Sequence, residues 1–211
     1  VVAGVAAADE DGAAVVFDLS TIGDDVDSDD DGASLTYTIL SATPSEGSVS
    51  ISGASLSFDP GADFQDLAVG ETRDVTITVQ AQDQHGADSG TADITVTVTG
   101  TNDAPTVVAG VLAADEDGAA AVFDLSTIGD DIDSDDDGAS LTYTIVTQPG
   151  EGSASISGTD LSFDPGADFQ DLAVGETRDV TITVQAQDQH GADSGTADIT
   201  VTVTGTNDAP T

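Results

Sequence analysis

The residues with the most pointed chemistry are Asn102 and Asp103, followed one residue later by Pro105, in the stretch Gly100-Thr101-Asn102-Asp103-Ala104-Pro105-Thr106. The same seven residues return at 205–211, and Asn102 and Asn207 are the only asparagines in the chain. Short Asn and Asp side-chain oxygens either bond nearby backbone or coordinate a hard cation, while proline fixes φ and ends strand pairing. The spacing predicts an oxygen-rich joint whose angle is set by a metal ion. Further acids fall in clusters, at Asp9-Glu10-Asp11, 24–31, Asp63 and Asp66, and Asp83. Two carboxylates about 4 Å apart repel by roughly 4 kcal/mol at an effective dielectric near 20, so several meeting at one place need a cation.

The charge balance points the same way. Forty-one acidic residues stand against two basic ones, Arg73 and Arg178, for a net charge of −39. Phosphates are repelled, which excludes nucleic acid as a partner and argues against anionic membrane surfaces. No apolar run is long enough to span a bilayer, so direct membrane insertion is not expected. Cysteine is absent, which removes both disulfides and thiolate metal sites. Calcium takes about six to eight oxygen ligands in flexible geometry and matches this inventory. Magnesium demands stricter octahedral order, and transition metals would look to imidazole, which only His85 and His190 could offer. The competing reading is a solvated acidic surface that keeps the chain soluble, as in salt-adapted proteins.

Positioning these acids is the task of a repeated unit. Val1-Val2-Ala3-Gly4-Val5 returns as Val107-Val108-Ala109-Gly110-Val111, and the two copies differ at ten positions plus the loss of Thr43, from Ala6/Leu112 to Ser55/Asp160. The expected domains are 1–100 and 107–205, with linkers at 101–106 and 206–211. Such close copies, and the lack of an initiator Met, suggest a fragment of a longer array. Almost every apolar segment alternates at period two with Thr, Ser, Gln or Asp and is bounded by Gly, Asp or Pro, which predicts an all-β chain. The clearest strand is 75–81, where Val75, Ile77, Val79 and Ala81 would face a core, and 92–98 repeats the pattern. Candidates at 2–7, 14–19, 35–39, 48–51 and 56–58 bring the count to seven per repeat, that of an immunoglobulin-like sandwich. In the 59–71 connection, Phe64, Leu67 and Val69 are expected to plug one end of the core, with a short helical turn at 62–67. Arg73 and Arg178 are expected to pair with local carboxylates such as Asp74 and Asp179.

Strands of alternating direction sort the loops into two ends. The chain start, the 20–34 loop and the 83–90 loop share one end; Asp9-Glu10-Asp11, 40–47, 59–71 and the Asn102-Asp103 joint share the other. In tandem, Glu10, Asp66, Asn102 and Asp103 are therefore expected to converge with Asp133, Asp135 and Asp188. By the repeat, Asp27, Asp29 and Asp83 form the corresponding half-site of the first copy, and Glu116, Asp171, Asn207 and Asp208 that of the second.

The segment Val79-Gln80-Ala81-Gln82-Asp83-Gln84-His85-Gly86, followed by a strand and then Thr101-Asn102-Asp103-Ala104-Pro105, resembles the cadherin consensus around its V-x-A-x-D-x-x-G and N-D-x-x-P motifs. Asp27-Ser28-Asp29 before Leu35 to Ile39 is similar to the cadherin D-x-D, and Ala8-Asp9-Glu10-Asp11-Gly12 to the glutamate-bearing segment near the start of such domains. The resemblance covers both repeats and is most specific to the bacterial cadherin-like repeats in the extender regions of large secreted repeats-in-toxin (RTX) adhesins. It implies two tandem seven-stranded immunoglobulin-like (cadherin-like) β-sandwich domains in an elongated, monomeric rod, with Ca2+ at each joint and adjacent repeats as partners. Glu10, Asn102 and Asp103 would bind from the upper domain, and Asp133, Asp135 and Asp188 from the lower. The chain departs from animal cadherins in having Gly100 and Thr101 where an aspartate commonly precedes N-D, and in lacking D-R-E before the sixth strand; Asp66 or Glu71 would replace that motif.

The implied function is a calcium-rigidified extender of an extracellular bacterial surface adhesin. The alternative is a module that itself binds a carbohydrate or another copy, but there is no Trp, and Tyr37 and Tyr143 sit at inward positions. No nucleophile–base arrangement supports an enzyme. An EF-hand at Asp27 to Gly32 lacks the terminal Glu and is flanked by strands. His85 and His190 read as exposed turn residues.

Overall fold

The computed structural model describes residues 1–27, 29 and 31–209. Ser28 of the Asp27-Ser28-Asp29 motif, Asp30 of the EF-hand-like stretch, and Pro210 and Thr211 of the closing linker lie outside the described residues. The chain divides into two compact units, Val1–Thr101 and a second from Asn102 onward.

The first unit is a sandwich of seven strands: β1 Gly4–Asp9, β2 Val15–Asp18, β3 Thr36–Thr43, β4 Ser48–Ser52, β5 Ser55–Asp59, β6 Thr72–Gln82 and β7 Asp88–Thr99. One sheet has the order β1-β7-β6-β3 and the other β2-β5-β4. Every pairing is antiparallel except β1 with β7, which is parallel, as strict alternation of direction requires for a first and seventh strand. The alternation seen in the sequence is realised in the longest pair. Val75, Ile77, Val79 and Ala81 of β6 and Ala92, Ile94, Val96 and Val98 of β7 are buried, with Val75 opposite Val96 and Ile77 opposite Ile94. Each fully buried Val or Ile contributes about 1.5–3 kcal/mol relative to exposure, which is what pins the register. The β4–β5 hairpin turns at Gly53, whose φ of +60° favours glycine.

The 59–71 connection does close the core, with two differences from expectation. Phe64 and Leu67 are fully buried, and Phe64 meets Phe58 edge-on at 6.1 Å between centroids. Val69, however, is 48% exposed, and residues 62–67 form turns rather than a helix. Leu67 already fills the end of the sandwich, and Gly70 at φ +76° swings the chain outward to bond the Gly100 carbonyl.

The second unit repeats this plan with β9 Gly110–Asp115, β10 Ala121–Asp124, β12 Thr142–Thr147, β13 Ser153–Ser157, β14 Asp160–Asp164, β15 Thr177–Gln187 and β16 Asp193–Thr204. Its sheets run β12-β15-β16-β9 and β10-β14-β13. It adds two short strands, β8 Thr106–Val107 and β11 Gly129–Asp130, which pair antiparallel and tie the end of the linker to the acidic loop that follows β10. No helix among the described residues is long and apolar enough to cross a membrane.

Candidate metal centre

The acidic loop of the second unit is fixed before its carboxylates are considered. Tyr143, at the start of β12, is 5% exposed, and its hydroxyl donates to the Gly138 carbonyl at 2.7 Å. Burial first, and then the charges of Asp124, Asp137 and Asp130, push the phenol up to about 12, so it remains a donor across the physiological range. Gly138 has no room for a Cβ, which would meet the carbonyl oxygens of Ser126 and Gly129. The loop is thus drawn against the sandwich. Within it Asp131 accepts the Asp133 N–H at 3.0 Å, Ser140 donates to Asp136 at 2.8 Å, and the Asp136 N–H meets the Asp133 carbonyl at 3.2 Å.

Asn102 and Asp103 lie on this surface. The Asn102 amide donates to Asp188 at 2.8 Å and to the Asp103 carbonyl at 2.7 Å, and the Asp103 N–H donates to Asp133 at 3.1 Å. Carboxylate oxygens of Asp103 and Asp133 lie within 4.8 Å of each other, close enough to share one cation. Asp188 accepts the N–H groups of His190 and Ala192 at 2.8 and 2.9 Å through its other oxygen. Burial raises its proton affinity, but the Asn102 bond and those backbone donors outweigh it, and its pKa is lowered.

What remains is a set of buried oxygens with nothing to bond. Asn102 Oδ1, Asp131 Oδ2, Asp133 Oδ1 and Asp136 Oδ2 are sealed from solvent with no hydrogen-bond donor among the described residues. Asp133 is 2% exposed and Asp136 8%. Burial raises the Asp133 carboxyl to about 6; the charges of Asp131, Asp103 and Asp135 add to this against the Asp103 N–H bond. Burial, with Asp136 and Asp188 as charged neighbours, raises Asp131 as well. Leaving such carboxylates dry and unpaired is costly, and a cation is the partner that removes the cost. The donors are all oxygens, which fits calcium.

The other predicted residues divide. Asp135 is brought to the same loop, but one of its oxygens already accepts the Gln189 amide at 2.6 Å. Glu10 and Glu116 are 1% and 2% exposed. Glu10 accepts the Thr101 N–H at 2.6 Å, and Glu116 the Thr206 N–H at 2.5 Å, while Glu116 Oε2 is sealed without a donor among the described residues. In the first unit Asp27 and Asp29 are exposed and Asp83 half-buried. Asp83 accepts the Ala87 and His85 N–H groups, which lower its pKa, and Asp29 accepts the Gln84 amide. Asn207 and Asp208 are exposed.

Asp66 and Asp171 are each held by an arginine. Arg73 grips both oxygens of Asp66 at 3.1 and 2.7 Å, reaches Glu46 at 3.3 Å and lies 5.8 Å over the Phe64 ring. Arg178 likewise holds Asp171 at 2.7 Å and Glu151 at 3.2 Å. The pairing with Asp74 and Asp179 is therefore replaced, because the guanidinium stacks on the buried phenylalanine and meets the carboxylates around it. Asp74 and Asp179 instead accept the hydroxyls of Thr97 and Thr202 across the sheet. Sequence reasoning missed Asp131 and Asp136; their signal was the density of acids at 130–137, which motif matching passed over in favour of Asp133 and Asp135 alone.

Comparisons with known proteins agree with this architecture. The bacterial Ig domain family matches residues 1–99 and again 102–204, and the chain belongs to that family. Its fold is similar to that of the extracellular cadherin domains 3–6 of protocadherin gamma B2 (15% identity, TM-score 0.55) and to domains 3–6 of protocadherin gammaB7 in its cis-dimer structure (18%, TM-score 0.51). Each alignment covers 98% of this chain and 46% of the other. Drosophila N-cadherin domains 1–4 share 18% identity at a TM-score of 0.51, over 97% of this chain and 48% of that one. The chain thus spans under half the length of these structures, and at such identities the likeness shows the fold alone. No curated protein sequence matches.

Proposed function

We propose that this chain is a pair of calcium-stiffened extender repeats of an extracellular bacterial adhesin, serving to hold a ligand-binding region away from the cell surface. The observation that carries the reading is the group of sealed, donorless oxygens of Asn102, Asp131, Asp133 and Asp136. Asp103 and Asp188 complete a set from linker and loop, and Asp135 offers its second oxygen. The resemblance to cadherin-like repeats adds Glu10 from the preceding domain. Asp66 leaves the set, because Arg73 holds both its oxygens, while Arg178 holds one oxygen of Asp171.

When bound, the ion neutralises the facing carboxylates, and its binding energy stabilises the folded state. Asn102 and the backbone amides orient the oxygens, Tyr143 keeps the loop in place, and burial excludes water. Extracellular calcium modules bind at about 10⁻⁴–10⁻³ M, so sites of this kind fill outside the cell and stay empty inside it. Near-identical copies suit a spacer, and both tyrosines are buried instead of forming an exposed platform for a sugar.

The test is small-angle X-ray scattering of the 211-residue chain, with calcium titrated from a chelator baseline to about 10 mM. At that concentration a site of about 0.1–1 mM adds roughly 1.4–2.7 kcal/mol of stability. Calcium is expected to fix the maximum dimension and raise the thermal midpoint, and Asp103→Ala combined with Asp133→Asn to abolish both effects. Dimensions and midpoint indifferent to calcium would make the acids plain solvated surface.

A further inference from the structure

The joint motif is divided between the two units at one peptide bond. Thr101 belongs to the first: its N–H donates to Glu10 at 2.6 Å and its hydroxyl to Asp11 at 3.0 Å. Asp11 is itself held by the Gln65 amide at 2.9 Å. The arrangement is not an accident of one copy, because Thr206 makes the same bonds to Glu116 and Asp117 at 2.5 and 2.7 Å. Everything after Thr101 belongs to the second unit. Asn102 is tied to Asp188 and the Asp103 N–H to Asp133. Pro105 is buried, β8 pairs with β11 through Thr106 and Val107, and the Val108 N–H reaches the Ile128 carbonyl at 3.0 Å. All these bonds are protein–protein and need no ion.

We propose that residues 102–107 are a strap docked permanently on the second unit, and that the freedom of the joint is confined to the torsions between Thr101 and Asn102. Calcium does not recruit the linker; it meets one already in place. The linker contributes no slack, since each residue on either side of the Thr101–Asn102 bond is anchored to its own domain. The motif therefore works by presenting donors in fixed positions before an ion arrives. This goes beyond the calcium reading and does not depend on it, because every bond that holds the strap is between protein groups.

Amide hydrogen exchange of the whole chain, read residue by residue in chelator and again in calcium, tests it. Expected in chelator is protection of Thr101, Asp103 and Val108 by at least about tenfold over the unstructured rate. Asn102→Ala, which removes the amide bond to Asp188, should speed exchange at Asp103 while the core amides of Ile182 and Ile199 keep their protection. Asp133→Ala should release the Asp103 amide further; if it also exposes Ile182 and Ile199, Asn102→Ala alone decides. Free exchange of Asp103 and Val108 in chelator, with protection gained only in calcium, would overturn the proposal, because the strap would then be a product of the ion. Failure of the calcium reading gives a different record, with unchanged scattering in calcium and protected amides in chelator.

Discussion

Asp133 gathers the chemistry of the site in one side chain. It is dry, faces other acids, accepts one backbone N–H and leaves its second oxygen without a partner among the described residues. A carboxyl whose pKa is raised on folding favours the folded state most below its unfolded value near 4, where both states hold the proton. That contribution is lost as pH climbs through the folded value of about 6. In chelator, thermal stability is therefore expected to fall between pH 4.5 and pH 7 by about 2 kcal/mol from this group, taking about 1.4 kcal/mol per pKa unit. Asp131, also raised, acts in the same direction, whereas Asp188, Asp83 and Asp66 are lowered and act only in more acid solution. Calorimetry across that range checks it: Asp133→Asn should flatten the slope, and a profile rising toward pH 7 in wild type would contradict it.

At the scale of elements, the strands were legible because one face of each is buried. Residues 75–81 and 92–98 alternate so regularly that only one register hides Val75, Ile77, Ile94 and Val96 together. The acidic loop was legible in part. That Asn102 meets Asp188 and Asp103 meets Asp133 follows from motif and topology, but the sealing of Asp131 and Asp136 does not, since it depends on how Tyr143 and Gly138 draw the loop inward. The partner of Asp66 was not legible for a related reason: composition announces an acid in that connection, while its pairing is decided by a guanidinium stacked on Phe64. Tyr143→Phe tests the loop's dependence on its anchor. The variant leaves a Gly138 carbonyl without its donor, so a cost of about 1–2 kcal/mol is expected in urea unfolding, with weaker calcium binding by calorimetry. Tyr37→Phe removes the equivalent bond to Gly32 in the first unit and should lower stability while leaving affinity at the 131–136 loop unchanged. Equal loss of affinity in both variants would count against a local anchor.

For the molecule as a whole, one sequence used twice yields two self-sufficient cores whose corresponding acids are not equally placed. Asp133 is buried where Asp27 is exposed, and the strap of residues 102–107 bonds to Asp133 through the Asp103 N–H. A net charge of −39 on a 211-residue chain is tolerable in this plan because the acids gather in loops and the sheets are stapled by apolar pairs. The parallel pairing of β1 with β7 has a mechanical consequence. The strand entering each unit and the strand leaving it run the same way side by side, with six partners from Gly4 and Ile94 to Asp9 and Thr99. Tension applied along the chain therefore shears that ladder, loading all its rungs together. In single-molecule pulling, handles at Val1 and Thr99 should require a higher rupture force than handles at the partners Asp9 and Thr99, which peel the rungs one after another. Equal forces would mean that the ladder bears no load. A domain wired in this way resists being dragged by its ends, which is the direction in which a tether at a surface in flow is pulled.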